Sequence, residues 1–296
     1  MKIGILANLT KTDTEDVART LVHELEARGH GCVIEAELSG RIGQKEGLVP
    51  EEVCAEAELI LSLGGDGSVL RAVNAAAPRE KPVLGVNMGR VGFLSEVRPS
   101  EIDELLDAID KRAFTLDRRS MLQYAVAAKE GDAPVLWHSS FNDVSITRDK
   151  YACIVRLDVF IQDEFAGTVT GDGLLVSSPT GSSAYALSCG GPLVHPSLDV
   201  LAVTPISGHV TGMRSMIVPG ESIVRIRPRD GRRALDIAAD GKFGARIYGG
   251  EAVVRRAPFH ALLAHIKPYR YFDIVRSKIY GEDIVSRDQK GTGCEP

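Results

Sequence analysis

Cysteine is scarce and scattered in this chain of 296 residues. The five, Cys32, Cys54, Cys153, Cys189 and Cys294, are odd in number and form no C-x-x-C pair. That excludes a disulfide framework and a zinc site as organising features, and it fits a reducing, cytoplasmic setting. A basic excess is also missing: 35 Lys and Arg face 40 Asp and Glu, for a net charge of -5. Nucleic acid is therefore not the expected partner. No apolar run approaches the length of a membrane span. The apolar start, Met1 to Asn8, is short, lacks an evident cleavage site and reads as a first buried strand. Several enzyme signatures are absent: G-x-x-x-x-G-K-[ST], an early G-x-G-x-x-G, H-E-x-x-H and G-x-S-x-G. The seven histidines are dispersed, and only His209 lies near other loop signals, where a surface turn explains it as well.

What is present is a globular composition, 44% apolar and 25% charged, with length for one large or two ordinary domains. The first third alternates strand and helix patterns. Strands are expected at Lys2 to Asn8, Gly31 to Ala36, the stretch ending at Leu63, and Pro82 to Asn87. Helices are expected at Thr14 to Arg28, Ser68 to Ala76 and Ser100 to Lys111, the first with Val17, Leu21 and Leu25 on one face. Such alternation predicts a parallel sheet covered by helices. After about Thr115 helix-length periodicity nearly vanishes. Leu122 to Ala128, Val135 to Ile146, Val155 to Ile161, Gly167 to Ser177, Ile217 to Ile226, Ala234 to Ile237 and Glu251 to Arg255 read as strands of an antiparallel domain. From Tyr271 the pattern turns mixed, and Asp288 to Pro296 reads as a frayed tail. The expected domains are 1–115 joined by 271–296, and 116–270.

The run Leu63-Gly64-Gly65-Asp66-Gly67-Ser68 lies where a buried strand passes into a helix. Glycines in such a turn let backbone N–H groups approach a phosphate. A carboxylate among those amides repels the ligand unless it takes a proton or holds a metal. The plain structural reading is that Asp66 caps the helix and the glycines shape the turn. Arg71 is one helical turn further on.

A second turn follows Asp172 and Gly173. A buried strand, Leu174 to Ser177, runs into Ser178-Pro179-Thr180-Gly181-Ser182-Ser183 and a helix start at Ala184 and Tyr185. Hydroxyls and free amides there suit a ligand bearing sugar hydroxyls or phosphate, and Tyr185 offers a flat face for a base. Equally, these residues serve as a helix cap and a tight turn, with Tyr185 in the core.

Taken in order, these elements resemble the NAD kinase family. The matches are GGDGS at 64–68, GVNMGRVGFLS at 85–95, Arg119 to Leu122, Asn142-Asp143 in FNDVSITR, the long run from Asp172 to Pro196, the turn from Thr204 to His209, Asp240-Gly241, and F-x-x-V-R-x-K-I-Y at 272–280. The likeness spans nearly the whole chain. GGDG alone also occurs in phosphofructokinases and lipid kinases; SPTGSSAY in order with it is the specific element. The resemblance implies a Rossmann-like α/β domain followed by an antiparallel, β-sandwich-like domain. It implies transfer of the γ-phosphate of ATP to the 2′-hydroxyl of the adenosine ribose of NAD, with Mg²⁺ or another divalent metal whose ligands are not identified. Asp66 would be the general base. Asp66, Gly67, Asn142, Asp143, Asp172, Thr180, Ser183, Ala184, Tyr185 and Ser188 would contact NAD. Gly64, Gly65, Gly67, Ser68 and Arg71 would contact the ATP phosphates. A homodimer or homotetramer is implied, with neither nucleic acid nor membrane as partner.

Ser183 stands where the family usually has Thr, which keeps the hydroxyl, and three further positions depart from the family pattern. Asp143 stands where Glu is usual, Gly208 where Pro is common, and Lys242 where Gln is common. Two other functions share part of the signal. A GGDG kinase for sugars or lipids would not need Asn142-Asp143 or the 178–185 turn. A catalytically silent dinucleotide sensor would not need a carboxylate among phosphate-binding amides.

Overall fold

A computed structural model describes residues 1–281 except 12, 45, 90–91, 128–131, 133–135, 150–153, 209–211 and 231–233. The chain divides into two compact units. One holds Met1–Ala76, Lys81–Asp117 and the described residues from Leu263 on; the other holds Ala77–Glu80 and Arg118–Leu262.

The first unit begins β1 (Lys2–Ala7), α1 (Thr14–Ala27), β2 (Gly31–Ile34), α2 (Ala36–Ile42), α3 (Pro50–Glu56), β3 (Leu59–Gly64), α4 (Asp66–Ala76), β4 (Pro82–Asn87) and α5 (Ile102–Asp110). The strands pair in parallel in the order β2-β1-β3-β4, with Ile3 opposite Leu59 and Gly64 opposite Asn87. Every residue of β3 is buried, as expected of a strand covered on both faces. Helix α1 buries Ala18, Leu21, Val22 and Leu25 on one side. With Ile3, Ile5, Leu61, Leu63, Leu84 and the α5 residues Leu105, Leu106 and Ile109 they form one core. The order of the strands reverses direction between β1 and β3. In open α/β sheets ligands bind at the carboxyl ends of the strands flanking such a reversal, and the Gly64–Ser68 turn leaves the sheet there.

The second unit contains most of β5 (Thr115–Ala127), then β6 (His138–Ser140), β7 (Asp143–Arg148), β8 (Val155–Ile161), β9 (Glu164–Gly171), β10 (Gly173–Ser177), α6 (Tyr185–Ser188), β11 (Val200–Ile206), β12 (Met216–Pro219), β13 (Val224–Pro228), β14 (Ala234–Ala239), β15 (Lys242–Tyr248) and most of β16 (Glu251–His265). One antiparallel sheet has the order β12-β11-β10-β7-β14-β15; β16, β13, β8 and β9 follow one another in a second, with β5 beside β16 and β6. Alternate residues point inward, as Val155, Leu157 and Val159 do on β8. Leu122, Val144, Ile146, Leu174, Val203, Ile226 and Ile237 join them in one core. This is the sandwich expected from the sequence. The last element among the described residues is α7 (Tyr271–Lys278) of the first unit.

Several elements differ from the sequence expectation. Helices α2 and α3 fall mostly in a stretch, 37–54, to which the sequence patterns assign no element. Strand β11 carries Pro205, which reads as a turn signal, yet Pro205 lies opposite Leu174 in the ladder. The expected continuous strand 135–146 is two strands broken at Phe141 and Asn142, and its start lies outside the described residues. The expected strand 167–177 breaks at Asp172. The frayed-tail reading of 288–296 also falls outside the described residues. Among the described residues no helix is long and apolar enough to cross a membrane.

Candidate functional site

In the first unit the turn after β3 is shaped by crowding. Gly64 has φ +153°, and a Cβ there would lie 2.1 Å from Ser68 Oγ. Only glycine fits that conformation without strain. Gly65 and Gly67 are different: a Cβ at either would meet nothing within 4 Å. Packing therefore does not demand glycine at 65 or 67. What their missing side chains leave is access to the N–H groups at the amino end of α4, which have no intrahelical acceptors. Ser68 is buried and its Oγ has no hydrogen-bond partner among the described residues.

Asp66 does more than begin the helix. Its Oδ1 accepts from Leu94 N (3.1 Å), Ser95 N (3.2 Å) and Ser95 Oγ (3.2 Å), and its Oδ2 accepts from Phe93 N at 2.7 Å. Gly92 is required at the edge of this grip, because a Cβ there would fall 1.9 Å from Asp66 Oδ1. A carboxylate offers about four lone-pair sites. Among the described residues Oδ1 is fully engaged, whereas Oδ2, with one donor, keeps room for a hydroxyl.

Arg71, expected near phosphate, hydrogen-bonds both carboxylate oxygens of Glu35, with Nη2 2.8 Å from Oε2, and also donates to the Ala7 carbonyl at 2.9 Å. Glu35 is buried and further receives Ala7 N. The guanidinium thus ties α4 to the ends of β1 and β2, and a phosphate contact by Arg71 competes with that ion pair. Nothing in the local sequence signals Glu35 as its partner.

In the second unit Asn142 and Asp143 lie at the break before β7, held from two sides. From one side the Ser178 turn grips the chain: Ser178 N donates to the Asn142 carbonyl (2.9 Å), and Ser178 Oγ donates to the Phe141 carbonyl (2.6 Å) while accepting from Gly181 N (3.1 Å). Gly181 packs so closely that a Cβ would lie 1.9 Å from the Asn142 carbonyl oxygen. From the other side comes Asp240. Its Oδ1 accepts from Asn142 N (2.7 Å) and Asp143 N (3.3 Å) and lies 2.8 Å from Ser140 Oγ; its Oδ2 accepts from Phe141 N at 2.9 Å. In the sequence Asp240 stands out only as part of a matching motif, and no local pattern signals this grip.

The Asp143 side chain is buried beside this carboxylate. Burial first, and the Asp240 charge second, push its pKa up to about 7. Tyr185 is 45% exposed, so its ring is open rather than in the core. Burial and the neighbouring Cys189 raise its phenol, and the charges of Asp172 and Asp143 add to that. Thr180 and Ser183 form one 3₁₀ turn, with Thr180 Oγ1 accepting from Arg119 Nη1 (3.2 Å) and Ser183 Oγ donating to the Thr180 carbonyl (3.1 Å). Ala184 links that turn to α6, where Ser188 is exposed. Asp172 pairs with Arg148 Nε at 2.9 Å. Lys242, at the start of β15, is exposed; His209 lies outside the described residues.

Among the described residues no three His, Cys, Asp or Glu side chains cluster as a metal cage. A divalent cation at the Asp66 turn would take most of its ligands from phosphate oxygens and water. That suits Mg²⁺, which proteins commonly hold through one or two carboxylates plus substrate phosphates.

Comparison with known proteins covers both units. Residues 3–114 match the ATP-NAD kinase N-terminal domain, and residues 141–266 match the ATP-NAD kinase C-terminal domain. An NAD kinase of Moorella thermoacetica is 36% identical over 279 residues, covering 94% of this chain and 89% of that protein. One from Geobacter sulfurreducens is 34% identical over 283 residues, covering 95% and 99%. Among solved structures, yeast NADH kinase complexed with NADH superposes with a TM-score of 0.85 at 20% identity, covering 96% of this chain and 88% of that one. An NAD kinase from Archaeoglobus fulgidus in complex with ATP gives 0.73 at 22% identity, covering 96% and 100%. With both domain models matched in order and relatives above 30% identity along nearly the whole length, the chain belongs to the ATP-NAD kinase family of phosphotransferases.

Proposed function

We propose that this chain transfers the γ-phosphate of ATP to the 2′-hydroxyl of the adenosine ribose of NAD, giving NADP, with Asp66 as the general base. The observation that carries this reading is the state of Asp66. Three backbone amides and a hydroxyl from residues 93–95 hold its carboxylate still, yet among the described residues Oδ2 has only one donor and keeps an acceptor site. A ribose hydroxyl is a weak nucleophile at neutral pH, and a held carboxylate within reach takes its proton as the bond to phosphorus forms. The rest of phosphoryl transfer is alignment and charge neutralisation. The amides of Gly65, Asp66 and Gly67, unshielded by side chains at the two glycines, suit the donor phosphates, whereas the Ser68 hydroxyl, buried and without a partner among the described residues, would reach a phosphate oxygen only if the turn opens. When bound, a divalent metal would offset the charge of those phosphates.

In the second unit, Asn142 presents a donor and an acceptor suited to an adenine edge, and Asp143 and Asp172 present carboxylates suited to ribose hydroxyls. Exposed Tyr185 offers its ring face, and Thr180, Ser183, Ala184 and Ser188 line the same turn. Self-association as a homodimer or homotetramer rests on the family resemblance, and sedimentation equilibrium reads it directly.

The test is purified protein with NAD, ATP and Mg²⁺, with product detected by an NADP-specific dehydrogenase. NADP accumulating in proportion to enzyme is expected. Bound NAD without NADP would replace this reading with that of a dinucleotide sensor.

A further inference from the structure

The Asp240 carboxylate lies outside the second unit's motif-bearing sequence stretch 172–188. It nevertheless gathers the donors of four consecutive residues, Ser140 to Asp143. It does so from the tip of the β14–β15 hairpin, where Asp240 (φ 50°) and Gly241 (φ 73°) form a two-residue turn with both φ positive. Such a turn has a narrow sequence requirement, and Asp-Gly meets it. The backbone closes the same joint: Asp240 N donates to the Asp143 carbonyl at 3.0 Å. Ser140 Oγ lies 2.6 Å from that carbonyl as well as 2.8 Å from Asp240 Oδ1, and its single proton serves one of them at a time.

A loop that must break a strand at Phe141–Asn142 has backbone N–H groups with no ladder partner. Buried groups of that kind need an acceptor. Two of the three residues supplied with one here, Asn142 and Asp143, are those whose side chains would meet the dinucleotide. We propose that Asp240 is a positioning residue for NAD: by accepting the amides of Phe141, Asn142 and Asp143 it sets the placement of the Asn142 and Asp143 side chains against the dinucleotide. This rests on the reading of Asn142 and Asp143 as NAD contacts. Charge-assisted hydrogen bonds to backbone amides are stronger than neutral ones, which suits a loop held by one side chain from a hairpin tip.

The experiment compares wild type with Asp240→Asn, Asp240→Glu and Ser140→Ala by three measurements: NAD titration calorimetry, amide hydrogen exchange at 141–143, and steady-state KM for NAD and for ATP with kcat. Asp240→Asn puts an amide group against backbone donors. It should weaken NAD binding by about tenfold or more and raise the KM for NAD equally, while the KM for ATP stays within about twofold. Exchange at Phe141, Asn142 and Asp143 should quicken. Asp240→Glu keeps the charge but displaces the oxygens by one methylene, and should also weaken NAD. Wild-type NAD affinity in Asp240→Glu would overturn placement as the role. So would faster exchange in Asp240→Asn with unchanged NAD affinity, or a fall in kcat alone. If Asp240→Asn does not fold, Asp240→Glu decides, with Ser140→Ala loosening the same joint from its hydroxyl side: weaker NAD binding in Asp240→Glu supports the proposal, and wild-type NAD affinity in it overturns the proposal. Wild type that binds NAD but makes no NADP would defeat only the kinase reading, since the calorimetry still decides on Asp240. Wild type that binds no NAD defeats both.

Discussion

Asp66 and Asp240 do the same thing in different units. Each carboxylate collects four donors from a short loop far away in sequence: 93–95 for Asp66 and 140–143 for Asp240. Their surroundings separate them. Asp66 stands at the amino end of an 11-residue helix, between two glycines with empty space where side chains would be. Asp240 stands at a hairpin tip against the buried carboxyl of Asp143. A carboxylate held by backbone donors is therefore not by itself a base or a scaffold. The room left on Oδ2 and the open approach suit the first to the proposed role of base, and the crowded neighbour suits the second to positioning.

The sharpest way to break that contrast is Asp66→Asn. The amide cannot take a proton, so kcat should fall by about 10²–10⁴-fold, the usual worth of general-base catalysis. The KM for NAD should change much less. Because Asn also disturbs the 93–95 grip, Ser95→Ala is the control: it removes one donor and leaves the carboxylate. If Ser95→Ala loses as much turnover as Asp66→Asn, Asp66 acts by placing its loop, and the two aspartates are alike after all.

A pair of glycine substitutions sharpens the comparison from the ligand side. Gly181→Ala drives a methyl into the Asn142 carbonyl, a contact of 1.9 Å with backbone. Overpacking of that kind costs about 1–3 kcal/mol of stability and should raise the KM for NAD by about tenfold. Gly65→Ala meets nothing in the free protein. It should leave the melting temperature nearly unchanged and raise the KM for ATP, because the methyl occupies the approach to the amides. A Gly65→Ala enzyme with unaltered ATP kinetics would mean that the phosphates lie elsewhere.

How much of this was legible beforehand follows from range. Strand β3 reads as a continuous apolar run and α1 as a 3.6-residue period, because each depends on its own residues. The seven-residue helices α2 and α3 are too short to show a period, and Pro205 disguises β11. The breaks at Asn142 and Asp172 are invisible to alternation, which continues across them, although they place site residues. Asp66 announces itself through its neighbours, Gly64 to Ser68. Its loop partner lies 27 to 29 residues on, and Asp240 reaches back 97 to 100 residues. Such pairings leave no local pattern; the fold alone brings them together.

The smallest predicted effect tests the crowded neighbour itself. Burial and the Asp240 charge hold the Asp143 carboxyl up at about 7, against 3.8 for an unperturbed group. The facing groups are Asp240, the Tyr185 phenol and the Cys189 thiol, and the last two are raised from 10.0 and 9.0, so they stay neutral through this range. Between those two pH values the folded chain keeps a proton that the unfolded chain has released. Stability from this group is therefore greatest below about pH 4, falls as pH rises to about 7, and is level above that. Asp143→Asn removes the titration, so its melting temperature should decline less than that of wild type between pH 4 and 7. If the ionised carboxylate accepts ribose hydroxyls, NAD should bind a few-fold more tightly at pH 8 than at pH 6, and Asp143→Asn should flatten that dependence. Parallel pH profiles for wild type and variant would show that Asp143 titrates in its ordinary range. The second aspartate would then be a scaffold without an electrostatic cost to its neighbour.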